Sequence, residues 1–151
     1  MQVFQFELHG PLRPQKRPIW HQRGASHYVH DPSKKDLEHM QWQIRPYAPE
    51  TPLKGPVELT LAFFFPIPKA TSQALRTQMM NRVILPAKRP DADNLAYLVT
   101  NALKNIVYDD DCQVVAEHIY KFYGPEPKVI IKVRPILQAE PLGYRDVDEL
   151  I

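Results

Sequence analysis

Four strands are predicted along the chain, and two of them follow from alternating apolar and polar residues. Residues 4–8 alternate in this way, so they predict a half-buried strand that ends at Gly10. The clearest alternation runs over residues 57–65. Two runs rich in β-branched and aromatic residues, 113–123 and 128–136, predict two further strands.

A helix is predicted directly after Pro90, because apolar residues recur there at helical spacing. Asp93 or Asn94 is the expected N-cap, since both residue types accept hydrogen bonds from the first free backbone N–H groups. The predicted core face consists of Leu95, Leu98, Val99, Ala102, Leu103 and Ile106.

Two shorter helices are also predicted. One begins at Ser33, where Asp36 stands at the spacing of a capping box, and it ends before Pro46. The other covers residues 71–80 and is weakly patterned.

Together these elements predict a small α+β protein with a mixed or antiparallel sheet and two main helices. The length of 151 residues and an apolar fraction of 44% fit one globular domain, which we place at residues 1–137. Residues 138–151 contain four acids and one arginine, and we interpret them as an acidic C-terminal tail.

Charge is unevenly distributed in the rest of the chain. The formal net charge is only +2, but residues 11–30 and 66–90 contain no acid. Both segments contain prolines and are expected to be irregular loops. They suggest a polyanionic partner, although solvated loops would show the same composition. The residues expected to contact such a partner, which the family resemblance described below implies is DNA, are Arg13, Lys16, Arg17, Arg23, Lys69, Arg76, Arg82 and Arg89.

Aromatic residues are interleaved with the first basic segment. Trp20 and Tyr28 could stack on bases or anchor the loop to the core, and we favour anchoring.

Several classes of site are excluded by residue usage. Cys112 is the single cysteine, so an intrachain disulfide cannot form. His21, His27 and His30 match no zinc-binding spacing. No signal-peptide pattern and no apolar run long enough to span a membrane is present, so we expect a cytoplasmic protein without a membrane partner.

Aspartates stand at both ends of the helix predicted after Pro90. Asp91 and Asp93 precede it, and residues 109–111 are three consecutive aspartates that follow it. If the chain folds back, the two groups can approach each other, and gathered carboxylates bind a hard divalent cation such as Mg²⁺. The alternative is a helix cap and a polar turn without metal chemistry.

These residues resemble the RusA family of Holliday-junction resolvases. The matching runs are PDADNL at residues 90–95, Ala102-Leu103, and DDCQV at residues 110–114. The resemblance implies a homodimeric endonuclease that uses Mg²⁺, with Mn²⁺ as an alternative ion. It implies that four-way junction DNA is the partner and that two opposing strands are nicked, in recombination and repair and in a phage or prophage setting.

The resemblance also implies roles for individual residues. Asp91, Asp93 and Asp111 correspond to the three catalytic carboxylates, and Asp110 is an adjacent metal ligand. The Asp91–Asp111 separation is one residue shorter than the family pattern, which leaves open whether Asp110 or Asp111 is the third carboxylate.

One departure concerns the catalytic lysine of the family, whose position is occupied by Tyr97. A tyrosine is neutral near pH 7, so it cannot supply the positive charge of a lysine. Lys88 is the best substitute, ahead of Arg89 and Lys104. Two other functions therefore stay open: a junction-binding protein with weak or no nuclease activity, and a small-molecule phosphohydrolase.

Overall fold

Four strands form one mixed sheet, and a separate pair forms a hairpin. The computed structural model describes residues 2–137; the predicted tail, 138–151, lies outside the described residues. The elements are β1 (Phe4–His9), β2 (Ile19–Arg23), β3 (Ser26–His30), α1 (Lys34–Ile44), β4 (Val57–Pro66), α2 (Gln73–Met80), α3 (Ala92–Leu103), β5 (Val114–Gly124) and β6 (Lys128–Pro135), with short 3₁₀ turns at Arg45–Tyr47 and Asp111–Gln113.

The sheet has the strand order β1-β6-β4-β5. β6 pairs antiparallel with both β1 and β4, whereas β4 and β5 run parallel. Parallel neighbours need a long crossover, and here the crossover contains α2 and α3. The second basic segment and both groups of aspartates therefore lie on one connection between two adjacent strands. These elements confirm the predicted α+β class.

The core lies between one face of the sheet and the helices α1 and α3. Alternate residues of β4, such as Leu59 and Leu61, are fully buried on this face. α3 buries its apolar stripe there, including Leu98 and Leu103. Burying each such leucine contributes about 2 kcal/mol, so the stripe holds α3 firmly on the sheet.

We predicted from its prolines that the first basic segment is irregular, but part of it forms regular structure. Residues 19–30 form an antiparallel hairpin that turns at Gly24, whose φ is +63°. All ten strand residues of the hairpin are exposed. The prediction that Trp20 and Tyr28 anchor this segment to the core was wrong, since they are 76% and 52% exposed.

The helix starts also differ from the predictions. The N-cap of α3 is Asp91, so the helix begins before the predicted caps Asp93 and Asn94. α1 does follow Ser33, but no capping box forms, because the Ser33 Oγ accepts a hydrogen bond from the Lys16 N–H (2.8 Å).

No helix within residues 2–137 has the length and apolar character needed to cross a bilayer.

Candidate active site

The first acidic group lies at the N-terminal end of α3. Asp91 is the N-cap, but its side chain makes no capping hydrogen bond, and Asp93 lies in the first turn. Both side chains are exposed, and within residues 2–137 neither has an ion pair or a side-chain hydrogen bond. The carboxylate oxygens therefore remain available to an external ligand.

A lysine from the sheet holds the backbone that precedes Asp91. The Lys121 Nζ donates to the carbonyl oxygens of Lys88 (2.6 Å) and Pro90 (2.9 Å). It also lies 5.4 Å from the centroid of the Phe65 ring. Lys121 thus positions the loop that carries Asp91. Lys121 is one of the positions at which the sequence resembles the family, but we assigned it no role from the sequence; it is the single Lys or Arg within β5.

The first basic segment is attached to the same end of α3. The Gln15 N–H donates to the Asn94 carbonyl (3.1 Å). Two open clefts flank this contact. One is lined by Leu12, Pro14, Arg89, Pro90, Asp91 and Asn94, and the other by Gln15, Lys16, Arg17, Pro18, Asp31, Asn94, Tyr97 and Asn101.

The second acidic group lies beyond the C-terminal end of α3. The Lys104 Nζ is 2.9 Å from an oxygen of Asp110 and 3.4 Å from one of Asp111. The Cys112 N–H donates to Asp110 (3.1 Å), and this bond, together with the Lys104 ammonium, holds the pKa of the Asp110 carboxyl far below its usual value. The hydrogen bond from Lys104 to Asp110 in turn raises the pKa of Lys104. Asp109 pairs separately with Lys54.

Gln113 fixes the loop that carries these aspartates. Its side-chain oxygen accepts from the N–H groups of Asp109 (2.9 Å) and Asp110 (3.0 Å). Its side-chain nitrogen donates to the carbonyl oxygens of Leu53 (2.9 Å) and Gly55 (2.8 Å). One side chain therefore joins the acidic loop to the segment before β4.

The two acidic groups do not meet in one metal-binding cluster. α3 has 12 residues and is about 18 Å long, with the first group at its N-terminal end and the second group after its C-terminal end. The chain then turns back, so that Asp111 lines a cleft with Thr100, which is seven residues or about 10 Å along the helix axis from Asp93. Among residues 2–137 no three His, Cys, Asp or Glu side chains lie close enough to hold one metal ion. Asp110 and Asp111 come together around Lys104, whereas Asp91 and Asp93 stand apart from them.

The donor set at Asp91 and Asp93 nevertheless fits Mg²⁺. Mg²⁺ keeps several waters and is commonly bound by one or two carboxylates together with substrate phosphates. Two exposed carboxylates without ion pairs among residues 2–137, one of them lining an open cleft, match that requirement in donor type and number. Asp110 and Asp111 match it less well, because the Lys104 ammonium already lies beside an oxygen of each carboxylate.

Tyr97 stands between the two acidic groups. Asp93, Tyr97 and Thr100 follow helical spacing along one side of α3, and Asp111 shares a third cleft with Thr100 and Glu117. Tyr97 is 54% exposed. The sequence analysis did not single out Glu117, whose pKa is raised by burial.

Lys88, the residue predicted to replace the catalytic lysine of the family, precedes Asp91 by three residues in the sequence. Lys88 is exposed, and its Nζ is 5.8 Å from the centroid of the Tyr123 ring. Its backbone is held by Lys121, so its flexible side chain extends from a fixed position.

The remaining predicted DNA contacts occupy three places. Arg13 is paired with Asp36 (3.5 Å), so part of its charge is already compensated. Arg23 is the last residue of β2, next to the hairpin turn. The other three belong to or flank α2, which contacts β5, and they are Lys69, Arg76 and Arg82.

Comparison with known proteins adds two findings. Residues 10–134 match the family described as Endodeoxyribonuclease RusA. The chain is also 29% identical over 140 residues to a Bacillus subtilis (strain 168) protein named YqaN, a match that covers 90% of this chain and 99% of that protein.

Proposed function

Because the chain belongs to the RusA endodeoxyribonuclease family, we propose that it is a Mg²⁺-dependent endonuclease that resolves four-way DNA junctions by paired nicks. The observation that carries this proposal is the pair of exposed carboxylates of Asp91 and Asp93, which have no ion pair or side-chain hydrogen bond among residues 2–137. Asp91 lines a cleft with Arg89, and a neighbouring cleft that shares Asn94 contains Lys16 and Arg17. A DNA backbone lying along these clefts would bring a phosphodiester next to both carboxylates.

In this proposal Asp91 and Asp93 hold the divalent ion. When bound, such an ion supplies positive charge to the phosphodiester and lowers the pKa of a water. Lys16, Arg17 and Arg89 neutralise the flanking phosphates, since they line the two clefts that share Asn94.

Three other residues complete the proposed site. Lys121 fixes the loop before Asp91 through two hydrogen bonds to its backbone. Lys88 supplies the positive charge that Tyr97 lacks. Asp111 is assigned as the third carboxylate on the family pattern. Because Lys104 contacts Asp111 and the two acidic groups do not meet among residues 2–137, its participation requires Lys104 to release it and Asp111 to approach Asp91 and Asp93 when substrate binds.

A homodimer is part of the same proposal. A four-way junction presents two symmetric scissile phosphates, and a twofold dimer would present two copies of Asp91 and Asp93 to them. Each subunit would then make one of the two nicks.

The test is cleavage of a synthetic four-way junction and a duplex of the same sequence, with and without Mg²⁺. We expect paired nicks in the junction that need both the metal and Asp93, so Asp93→Asn should abolish cleavage while junction binding persists or strengthens. Glu38→Gln is the matched control, because it removes one exposed carboxylate on α1 away from the clefts. Full cleavage by Asp93→Asn would refute the site assignment.

A second candidate function is a junction-binding protein with weak or no nuclease activity. The observation that favours it is the neutral side chain of Tyr97, which is 54% exposed between the two acidic groups. Tight, junction-selective binding without Mg²⁺-dependent nicks would establish this second function in place of the first.

A further inference from the structure

All ten strand residues of the hairpin of β2 and β3 are exposed, and they include the large aromatic side chains of Trp20 and Tyr28. Five residues in each strand give it a reach of about 17 Å. Strand pairing places Trp20 opposite Val29 on one face. On the other face the rings of His21 and Tyr28 stack with centroids 4.9 Å apart. The stacked rings stiffen one face, and the indole occupies the other.

The base of this hairpin is fixed beside the candidate active site. Before β2, the N–H groups of Gln15 and Lys16 donate to the Asn94 carbonyl and the Ser33 hydroxyl. Pro18 lines the same cleft as Tyr97. Trp20 follows Pro18 by two residues, which corresponds to about 7 Å of extended chain. A base contacted by Trp20 would therefore lie near the cleft that contains Pro18 and Tyr97, which shares Asn94 with the cleft of Asp91.

The composition of the first basic segment, which ends in the hairpin, indicates which partner it contacts. Residues 11–30 contain no acid and four basic side chains, one of which, Arg23, lies in the hairpin, so a nucleic-acid backbone is favoured along this segment. An indole with 76% of its surface exposed offers a flat apolar face on which a base can stack. Within a continuous duplex every base pair is covered by its neighbours, and stacking requires a step to be opened. At a branch point the stack is interrupted and a base-pair face can be reached directly.

We propose that Trp20 stacks on a base-pair face exposed at the branch point, and that this contact makes the protein prefer branched DNA to duplex. This inference rests on the proposed function and deepens it, because it assigns junction selectivity to one residue outside the carboxylate site. Trp20 is thus a specificity-determining residue and takes no part in hydrolysis.

Binding measured without divalent metal separates this contact from cleavage. In EDTA, the anisotropy of a fluorescein-labelled four-way junction and of a duplex of the same sequence reports both affinities. We expect Trp20→Ala to weaken junction binding by about 10-fold or more and to change duplex binding by less than about 2-fold. Trp20→Phe should restore most of the junction affinity, since phenylalanine keeps a stacking face.

Trp42 provides the matched control. It is the second tryptophan of the chain, is 73% exposed, and lies on α1. Trp42→Ala should leave both affinities unchanged. In the Trp42→Phe variant Trp20 is the single tryptophan, so its emission should be quenched by the junction more than by the duplex.

The possible failures are distinguishable. If the wild-type protein shows no preference for the junction, the proposed function fails and this inference fails with it. If the preference exists but Trp20→Ala leaves it intact, or weakens both affinities equally, only this inference is overturned. A change in sedimentation on Trp20→Ala would make the hairpin a contact between subunits and would also overturn it.

Discussion

Replacement of Gln113 by alanine should destabilise the fold and the acidic loop together. The side chain makes four hydrogen bonds, two accepted from the N–H groups of Asp109 and Asp110 and two donated to the carbonyls of Leu53 and Gly55. Each bond has a net value of about 1 kcal/mol. Because the site is only half-buried, water replaces some of these partners, and we expect a loss of about 2–4 kcal/mol in the free energy of unfolding.

Equilibrium urea unfolding of wild type and Gln113→Ala measures this loss, with an unchanged m-value if only stability is affected. The melting temperature should fall by roughly 5–15 °C. Gln78→Ala is the matched control, because Gln78 is exposed on α2, and it should change stability by less than about 0.5 kcal/mol.

Gln113→Glu adds a second comparison. It keeps an acceptor for the two N–H groups but loses both donors, and it places a further negative charge beside Asp110 and Asp111. It should be at least as destabilising as the alanine variant. A loss below about 1 kcal/mol for Gln113→Ala would refute the view that this side chain holds the loop.

Four further predictions follow from the site. Lys121→Met should lower the single-turnover cleavage rate about 10-fold or more while costing only about 1–2 kcal/mol of stability, because two backbone carbonyls lose their donor; an unchanged rate would contradict its positioning role. Tyr97→Lys should accelerate cleavage about 10-fold or more, since it restores the family's charge between the acidic groups; a slower enzyme would count against that reading. Neutralising Lys16 and Arg17 together should reduce the salt slope of DNA binding by about 2, measured by titration at several salt concentrations. The pKa of Asp110 is lowered in the folded protein, so its ionised carboxylate stabilises the fold above about pH 4, and this contribution is lost as the pH falls further. Asp110→Asn should therefore flatten the dependence of the free energy of unfolding on pH in that acidic range, as measured by urea unfolding at several pH values.

Much of the fold follows from the sequence where side chains enter the core. The alternation over residues 57–65 predicted β4, and the helical spacing after Pro90 predicted α3, because each pattern reflects burial on one face. The hairpin at residues 19–30 was missed for the same reason: its ten strand residues are all exposed, so no core constrains their pattern.

The candidate site was predictable in its residues and less so in its geometry. The aspartates stand out because they flank a strong helix, but that helix is rigid and keeps its two ends about 18 Å apart. The contact of Lys121 with the carbonyls of Lys88 and Pro90 depends on how the crossover returns to the sheet. Neither local propensity nor periodicity carries that information.

The strand order has a consequence for synthesis of the protein. β6 pairs with both β1 and β4, yet among the described strands it is the last to be made. β5 pairs with β4 across the long crossover and not with β6, which follows it directly. Every pairing in this sheet therefore joins distant parts of the chain, and such topologies fold slowly and cooperatively. Lys121 can hold the loop before Asp91 only after β5 has been made and has paired with β4, so a chain that is still emerging from the ribosome and lacks β5 does not present the assembled candidate site.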